Sequence, residues 1–420
     1  MWPRSVLEQG SCRPSSNAGW IHGARWCFSA RETNPATLQI KQGRIAQIRK
    51  GAAAPRRTNQ ADRDLDLAGM LILPGLINAH DHLQFALYPR LGGAHYQDYV
   101  EWGKDIQQRH ATTIAQQHRL PKSVRLWWGA LRNLVCGVTT VSHHDAQSPE
   151  FERIDFPVRV LQRFGWAHSI ALGGDLRRAW LATPRGGPFI VHACEGVSKE
   201  ASDELLALDR QGLLDSSTVL VHGLALDDER LAVLQARQAS LILCPSSNEY
   251  LFGRLPANRL FYQGEKVALG SDSPLTSAGD LLDEVRFAML RCAVPAERAY
   301  AMVTDTPRSI LRLENGEGSI QVGGVADLIG IRDTGSDILD RLGTLSSDDV
   351  ELVMLGGCVQ LASDELYRRL PMVSTRGLES LRIGGSIRWL RAPVAEMVRS
   401  AEAVMGFGKL LLGGRPIELP

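Results

Sequence analysis

The sequence predicts an α/β protein: a (β/α)₈ TIM-like barrel over residues 71–317 and a small β-sandwich domain built from both chain ends, 23–70 with 318–420. Two observations predict it. Short apolar runs recur through the middle of the chain, each ending in polar or ionisable residues and several followed by an amphipathic stretch. That is the pattern of βα units in a parallel sheet buried on both faces. Segments alternating apolar and polar residues between turn signals stand instead near the two ends, as strands with one wet face do.

Residues 1–22 have no clear periodicity and read as a mobile extension or a misplaced start. From Leu38, Leu-Gln-Ile-Lys-Gln-Gly-Arg-Ile-Ala-Gln-Ile alternates around a glycine turn, a β-hairpin. Pro74-Gly75 then marks entry into the barrel. The following runs are LILPGLINAH, GVTTVSHHD, PFIVHACE, STVLVHG, SLILCPSSN and KVALGSDS, with amphipathic stretches at Ser202–Leu214, Asp227–Ala236 and Leu281–Cys292. Between GVTTVSHHD, the second strand, and PFIVHACE, the fifth, there is little room for two strands and three crossovers. Val158-Arg-Val-Leu and Ser169-Ile-Ala-Leu are the candidates for strands three and four, with at least one vestigial helix. Gly318–Ile331 and Asp349–Leu355 return to short strands. Beyond about residue 365 the chain reads as a helical, basic tail, which fits closure of the β-domain and a homodimer contact equally well.

Lys plus Arg (47) nearly cancels Asp plus Glu (46), leaving no whole-chain bias toward nucleic acid or an acidic partner, so a small-molecule substrate is expected. The N-terminal stretch lacks the apolar core of a secretory signal, and no apolar run is long enough to span a membrane. Seven scattered cysteines, without a close pair, read as reduced thiols in a cytoplasmic protein.

Side chains at i and i+2 of a strand point the same way, so the imidazoles of His80-Asp81-His82 can grip one metal. His192 and His222 each terminate a βα unit, and Asp272 ends the last one. In a parallel barrel all strand C-termini open onto one face, where active sites sit. Imidazoles with one carboxylate converging there suit Zn²⁺ or Fe²⁺ rather than Ca²⁺ or Mg²⁺.

The ordered series PGLINAHDH, GVTTV, VHACEG, VHG, CPSSN, LGSDS and GSIQVGGVADLIGI resembles the amidohydrolase superfamily, particularly its branch of mononuclear cytosine, guanine and chlorotriazine hydrolases. The resemblance implies that His80, His82, His192 and Asp272 bind one divalent metal. It also implies that Glu195, three residues after His192, is the acid/base and that His222 polarises the attacked group. Binuclear members carry a carbamylated lysine on strand four. The segment Trp166–Asp175 has no lysine, so one metal is expected. Glu195 would take a proton from the attacking water and hand it to a ring nitrogen or leaving amine. Asp272 would serve as ligand and acceptor, and His222 would stabilise developing negative charge.

The long segment after His82 carries Gln84, Tyr88, Arg90, Tyr96 and Trp102, candidates to line a pocket or lid over a planar ring. Each is equally well explained as part of a helical hairpin. His144 is a candidate to stand behind the ligands, and Asn248 to brace the seventh loop. The expected chemistry is hydrolysis of a C–N bond in a small planar nitrogenous molecule, by deamination or cyclic-amide opening. Dehalogenation of the chlorohydrolase type uses the same constellation. A barrel that has lost catalysis and serves as a scaffold is the rival from another class, and retention of every ligand type and of Glu195 counts against it.

Overall fold

Each apolar run of the middle region forms a short strand. In chain order these are β1 (Leu76–Asp81), β2 (Val138–His143), β3 (Arg159–Val160), β4 (Gly165–Ser169), β5 (Phe189–Ala193), β6 (Thr218–His222), β7 (Ser240–Leu243) and β8 (Val267–Leu269). The computed structural model describes residues 19–51, 64–93, 95–263, 266–277 and 279–420. All pairings among the eight strands are parallel, in one sheet β1-β2-β3 and a second β4-β5-β6-β7-β8. β1 and the end of β8 meet where Asp272 N donates to the His80 carbonyl at 3.1 Å. A Cβ on Gly75 would lie 2.1 Å from Thr139 Oγ1, so glycine is needed for β1 to start against β2.

The crowded stretch resolves as expected for β3 and differently for β4. The fourth strand is Gly165–Ser169, not Ser169–Leu172. Ser169 Oγ accepts from Leu172 N (3.2 Å) and turns the chain there, leaving Leu172 57% exposed. No helix lies between β3 and β4, and β4 is followed only by the short helix Leu176–Leu181. The amphipathic stretches form helices Lys199–Arg210, Asp228–Ala236 and Leu281–Arg291. The first begins earlier than its apolar spacing suggests because Ser198 caps it, accepting from Ala201 N.

Both chain ends share one hydrogen-bonded sheet. Met70–Pro74, part of the run LILPGLINAH, belongs to it: the strand pairs in parallel with Arg25–Ser29 and antiparallel with Leu328–Arg332. Its side chains alternate. Leu71 and Leu73 pack into the large core shared with the parallel strands, while Met70 and Ile72 join a second core with Trp26, Leu38 and Ile45. The hairpin Glu32–Lys41 to Arg44–Lys50 turns at Gln42 (φ 51°) and Gly43 (φ 75°), both left-handed as a tight hairpin of this kind requires.

Several expectations need correction. The described residues begin with strand Gly19–His22, inside the stretch read as an extension; residues 1–18 lie outside the described residues. Of Gly318–Ile331 only the end is strand, because the glycines before it sit in turns. The tail is not simply helical. Glu379–Ile383 and Ser386–Leu390 extend the sheet, helix Val394–Met405 crosses, and Arg415–Glu418 pairs back on Glu379–Ile383. Alternation in Leu381, Ile383, Ile387 and Trp389, masked by arginines, carried that signal. Cys27, Cys136, Cys194, Cys244 and Cys292 are free and buried, but Cys358 is disulfide-bonded, so the reading of all cysteines as thiols fails there. Among the described residues no helix is long and apolar enough to cross a membrane.

Candidate metal centre

β1 brings His80 and His82 and β5 brings His192, and their ligand nitrogens all lie within 4.8 Å of one another. Asp272, just past β8, points Oδ1 at the same place, 3.6 Å from His80 Nε2 and 3.8 Å from His82 Nε2. The backbone reaches this arrangement through left-handed φ at three strand ends: Cys194 after β5 (56°), His222 on β6 (76°) and Asp272 (51°). Such non-glycine conformations cost about 1–3 kcal/mol each and gather at functional sites.

Hydrogen bonds fix which atoms face inward. His192 Nδ1 donates to the His168 carbonyl at 2.6 Å, so its Nε2 presents a lone pair, 3.2 Å from His80 Nε2. Burial, followed by neighbouring histidines, holds His82 and His192 well below the usual imidazole range, leaving both neutral. Neutral imidazole nitrogens converging with a carboxylate oxygen, two of them at hydrogen-bond distance with a lone pair between, fit a divalent metal.

Asp272 is ionised. Burial would raise its pKa, but the surrounding imidazoles, His80 first and then His222 and His82, hold it well below the usual carboxylate range. Its Oδ2 accepts from Ser247 Oγ (2.8 Å) and Thr276 Oγ1 (3.0 Å), and Oδ1, which also accepts from Ser273 N (2.7 Å), faces the centre. Glu195 behaves oppositely. Burial, then the charges of Asp272, Glu204 and Asp98, push it well above that range. Its Oε1 lies 3.6 Å from His222 Nε2, and His222 Nδ1 lies 3.1 Å from Asn248 Oδ1. Burial lowers His222 to about 4.

His144 stacks on His192 with ring centroids 4.1 Å apart, its Nε2 donating to the Ala167 carbonyl. The loop candidates make the following contacts. Gln84 Nε2 donates to Asp145, Tyr88 packs among Leu91, Ile106 and Leu275, Trp102 Nε1 donates to the Leu91 carbonyl, and Arg90 binds the Ser277 carbonyl and lies over Tyr250. Tyr96 donates to Asp105. These contacts build helix Tyr99–Arg109 and its surroundings into a self-packed unit. Phe85, 5.9 Å from the His82 ring, is the aromatic of this segment beside the ligands, and nothing in its spacing set it apart.

The unit docks on the Glu195 turn. Asp98 bridges to Gly196, Tyr99 N donates to the Glu195 carbonyl (3.3 Å), and Tyr99 OH donates to Glu204 Oε1 (2.9 Å). The other Glu204 oxygen accepts from Cys194 N at 2.7 Å. Burial outweighs both bonds and raises Glu204 to about 7. Sequence reasoning missed Glu204, Ser247 and Thr276, since none has a motif role; Ser247 adjoins Asn248 in CPSSN, the one available hint.

Residues 188–359 match the amidohydrolase family. The 5-methylthioadenosine/S-adenosylhomocysteine deaminase of Pyrococcus furiosus is 25% identical over 352 residues, 69% of this chain and 80% of that protein. The protein of the same name from Thermococcus onnurineus is 23% identical over 404 residues, 80% and 92% of the two chains. Among solved structures, a triazine hydrolase variant superposes with TM-score 0.69 at 17% identity, covering 92% of this chain and 99% of that one. A zinc-bound adenosine deaminase from Xanthomonas campestris gives 0.65 at 18%, covering 92% and 97%. These likenesses support a TIM-barrel-like α/β fold.

Proposed function

We propose that this chain, a metal-dependent hydrolase of C–N bonds similar to the amidohydrolase family, is a deaminase of a small planar amino-heterocycle of the adenine type. The observation that carries the proposal is the pairing of a four-residue ligand set with a protonatable Glu195 beside it. The names of the relatives, matched over most of their length, favour an adenine nucleoside as the substrate class.

His80, His82, His192 and Asp272 Oδ1 would hold one Zn²⁺ or Fe²⁺. A divalent metal so held supplies Lewis acidity, lowering the pKa of water to about 7. Glu195, whose burial keeps its proton affinity high, accepts the water proton and returns it to the ring nitrogen or the leaving amine. His222 donates to the developing charge only with its proton on Nε2. That tautomer follows when the Asn248 amide turns its Nδ2 toward His222 Nδ1, which also gives the buried Nδ2 a partner that it otherwise lacks. The two parallel sheets are read as one (β/α)₈ barrel over 71–317. The sheet uniting the chain ends supports the flanking domain of 23–70 and 318–420.

Elemental analysis of purified protein should give about one Zn or Fe per chain. Ammonia release should follow from 5′-methylthioadenosine, S-adenosylhomocysteine or adenosine in a panel with guanine and a chlorotriazine. Two tightly held metals would refute the mononuclear reading. Chloride release without ammonia would replace deamination by dehalogenation.

A further inference from the structure

Asp81, the residue between His80 and His82, is fully buried and meets Arg132 of helix Lys122–Val135. Arg132 Nη1 lies 3.0 and 3.1 Å from the two Asp81 carboxylate oxygens and 2.9 Å from the Asp272 carbonyl. Its Nε donates to the Gly279 carbonyl (3.0 Å), and Nη2 reaches Ser277 Oγ (3.5 Å). One guanidinium thus ties the peptide linking two ligands on β1 to the backbone of the ligand past β8 and to the loop that follows.

A second path runs in parallel. Asn133 Nδ2 donates to Asp81 Oδ2 at 2.6 Å, Asn78 Nδ2 donates to Asn133 Oδ1 and to Ser271 Oγ, each at 2.8 Å, and Ser271 N returns to Asn78 Oδ1 at 3.0 Å. Both paths end at or beside Asp272.

Packing alone does not ask for this. An ion pair taken wholly out of water is often no more stabilising than apolar side chains of the same volume. What a guanidinium adds is geometry: five donors in a fixed plane satisfy a carboxylate and several carbonyl and hydroxyl oxygens at once, which a lysine ammonium cannot match. The Asp272 peptide needs such holding, since its φ of 51° is unfavourable for a residue with a Cβ. His80 O accepts from its N–H at 3.1 Å on one side, and Arg132 holds its carbonyl on the other.

We infer that Arg132 is a positioning residue that sets the span between the β1 histidines and Asp272, and so the metal affinity of the centre. It touches neither metal nor substrate and acts through Asp81 and the Asp272 peptide. The inference rests on the ligand set proposed above.

The test uses Zn²⁺ as the probe, with its dissociation constant measured by chelator competition alongside the melting temperature. Arg132→Lys keeps the positive charge opposite Asp81 but loses the fork. The double variant Asp81→Asn/Arg132→Met removes both charges together, so neither is left buried without a partner. Both should fold, with Zn²⁺ affinity reduced about 10- to 100-fold, the range typical of groups that orient ligands from behind. Wild-type Zn²⁺ affinity in either folded variant would overturn the inference. A lowered melting temperature of the metal-free protein with unchanged Zn²⁺ affinity in the variants would do the same, assigning Arg132 to stability alone. If wild-type protein itself binds no stoichiometric Zn²⁺, the ligand set fails first, and that outcome is distinct from the others.

Discussion

Two carboxylates stand past the C-terminal ends of two parallel strands, β5 and β8, and the protein treats them in opposite ways. Asp272, past β8, accepts hydrogen bonds from Ser247, Thr276 and the Ser273 amide and is surrounded by imidazoles, so burial loses and it stays ionised. Glu195, past β5, is equally buried, but its nearest charges are other acids and its carboxylate faces His222 at 3.6 Å, so burial wins and it holds a proton readily. The chemical group is the same at both places; the groups around it lower one pKa and raise the other, which suits the ligand and proton-carrier roles proposed for them.

Removing each carboxylate tests that contrast most directly. Asp272→Ala should abolish turnover and drop metal content well below one per chain, read by elemental analysis on the purified variant. Full metal content with activity would break the comparison outright. Glu195→Gln should keep the metal and lose about 10²- to 10⁴-fold in turnover, because the amide keeps the shape but cannot shuttle a proton. If Glu195 were only an acid near a helix start, the same change would cost about 0.3–1 kcal/mol of stability and leave catalysis intact. Metal content, melting temperature and turnover measured on one preparation separate the two.

A smaller effect is expected from the donors. Ser247→Ala removes one of the two hydroxyls on Asp272 Oδ2, and about tenfold weaker metal binding should follow, with Thr276 limiting the loss. Unchanged affinity would mean that Asp272 is held in place without the Ser247 hydroxyl.

The smallest effect concerns Glu204, which braces the Glu195 turn through Cys194 N. Its folded pKa is raised to about 7 from an ordinary value near 4.5. The folded state therefore binds the extra proton, and the stability this group contributes is complete below about pH 4.5 and is lost as pH rises through 7. Glu204→Gln removes that dependence. The melting temperature of the variant minus that of wild type should increase by about 2 °C between pH 5 and pH 8, by calorimetry at both pH values. A difference independent of pH would place Glu204 among the ordinary ionised acids and remove the brace from the Glu195 side of the comparison.

The sequence by itself determined the parallel strands and the polar residues at their ends. A strand buried on both faces must be an uninterrupted apolar run, and a polar residue at its end interrupts that run visibly, as His80, His192, His222 and Asp272 do. It also determined that His80 and His82 point one way, because alternation along a strand is local geometry. Tertiary structure decided the rest. Gly165–Ser169 rather than Ser169–Leu172 became β4 because pairing with β5 and the Ser169 turn outweigh a short apolar run. The aromatics after His82 could not be assigned to lid or core until their own packing partners were in place, since the same amphipathic spacing serves both. Arg132 and Glu204 were invisible for a related reason. Arg132 meets Asp81 and Asp272, and Glu204 meets Tyr99, all far apart in the chain, and a buried polar group has no sequence signature of its own until the fold brings its counterpart to it.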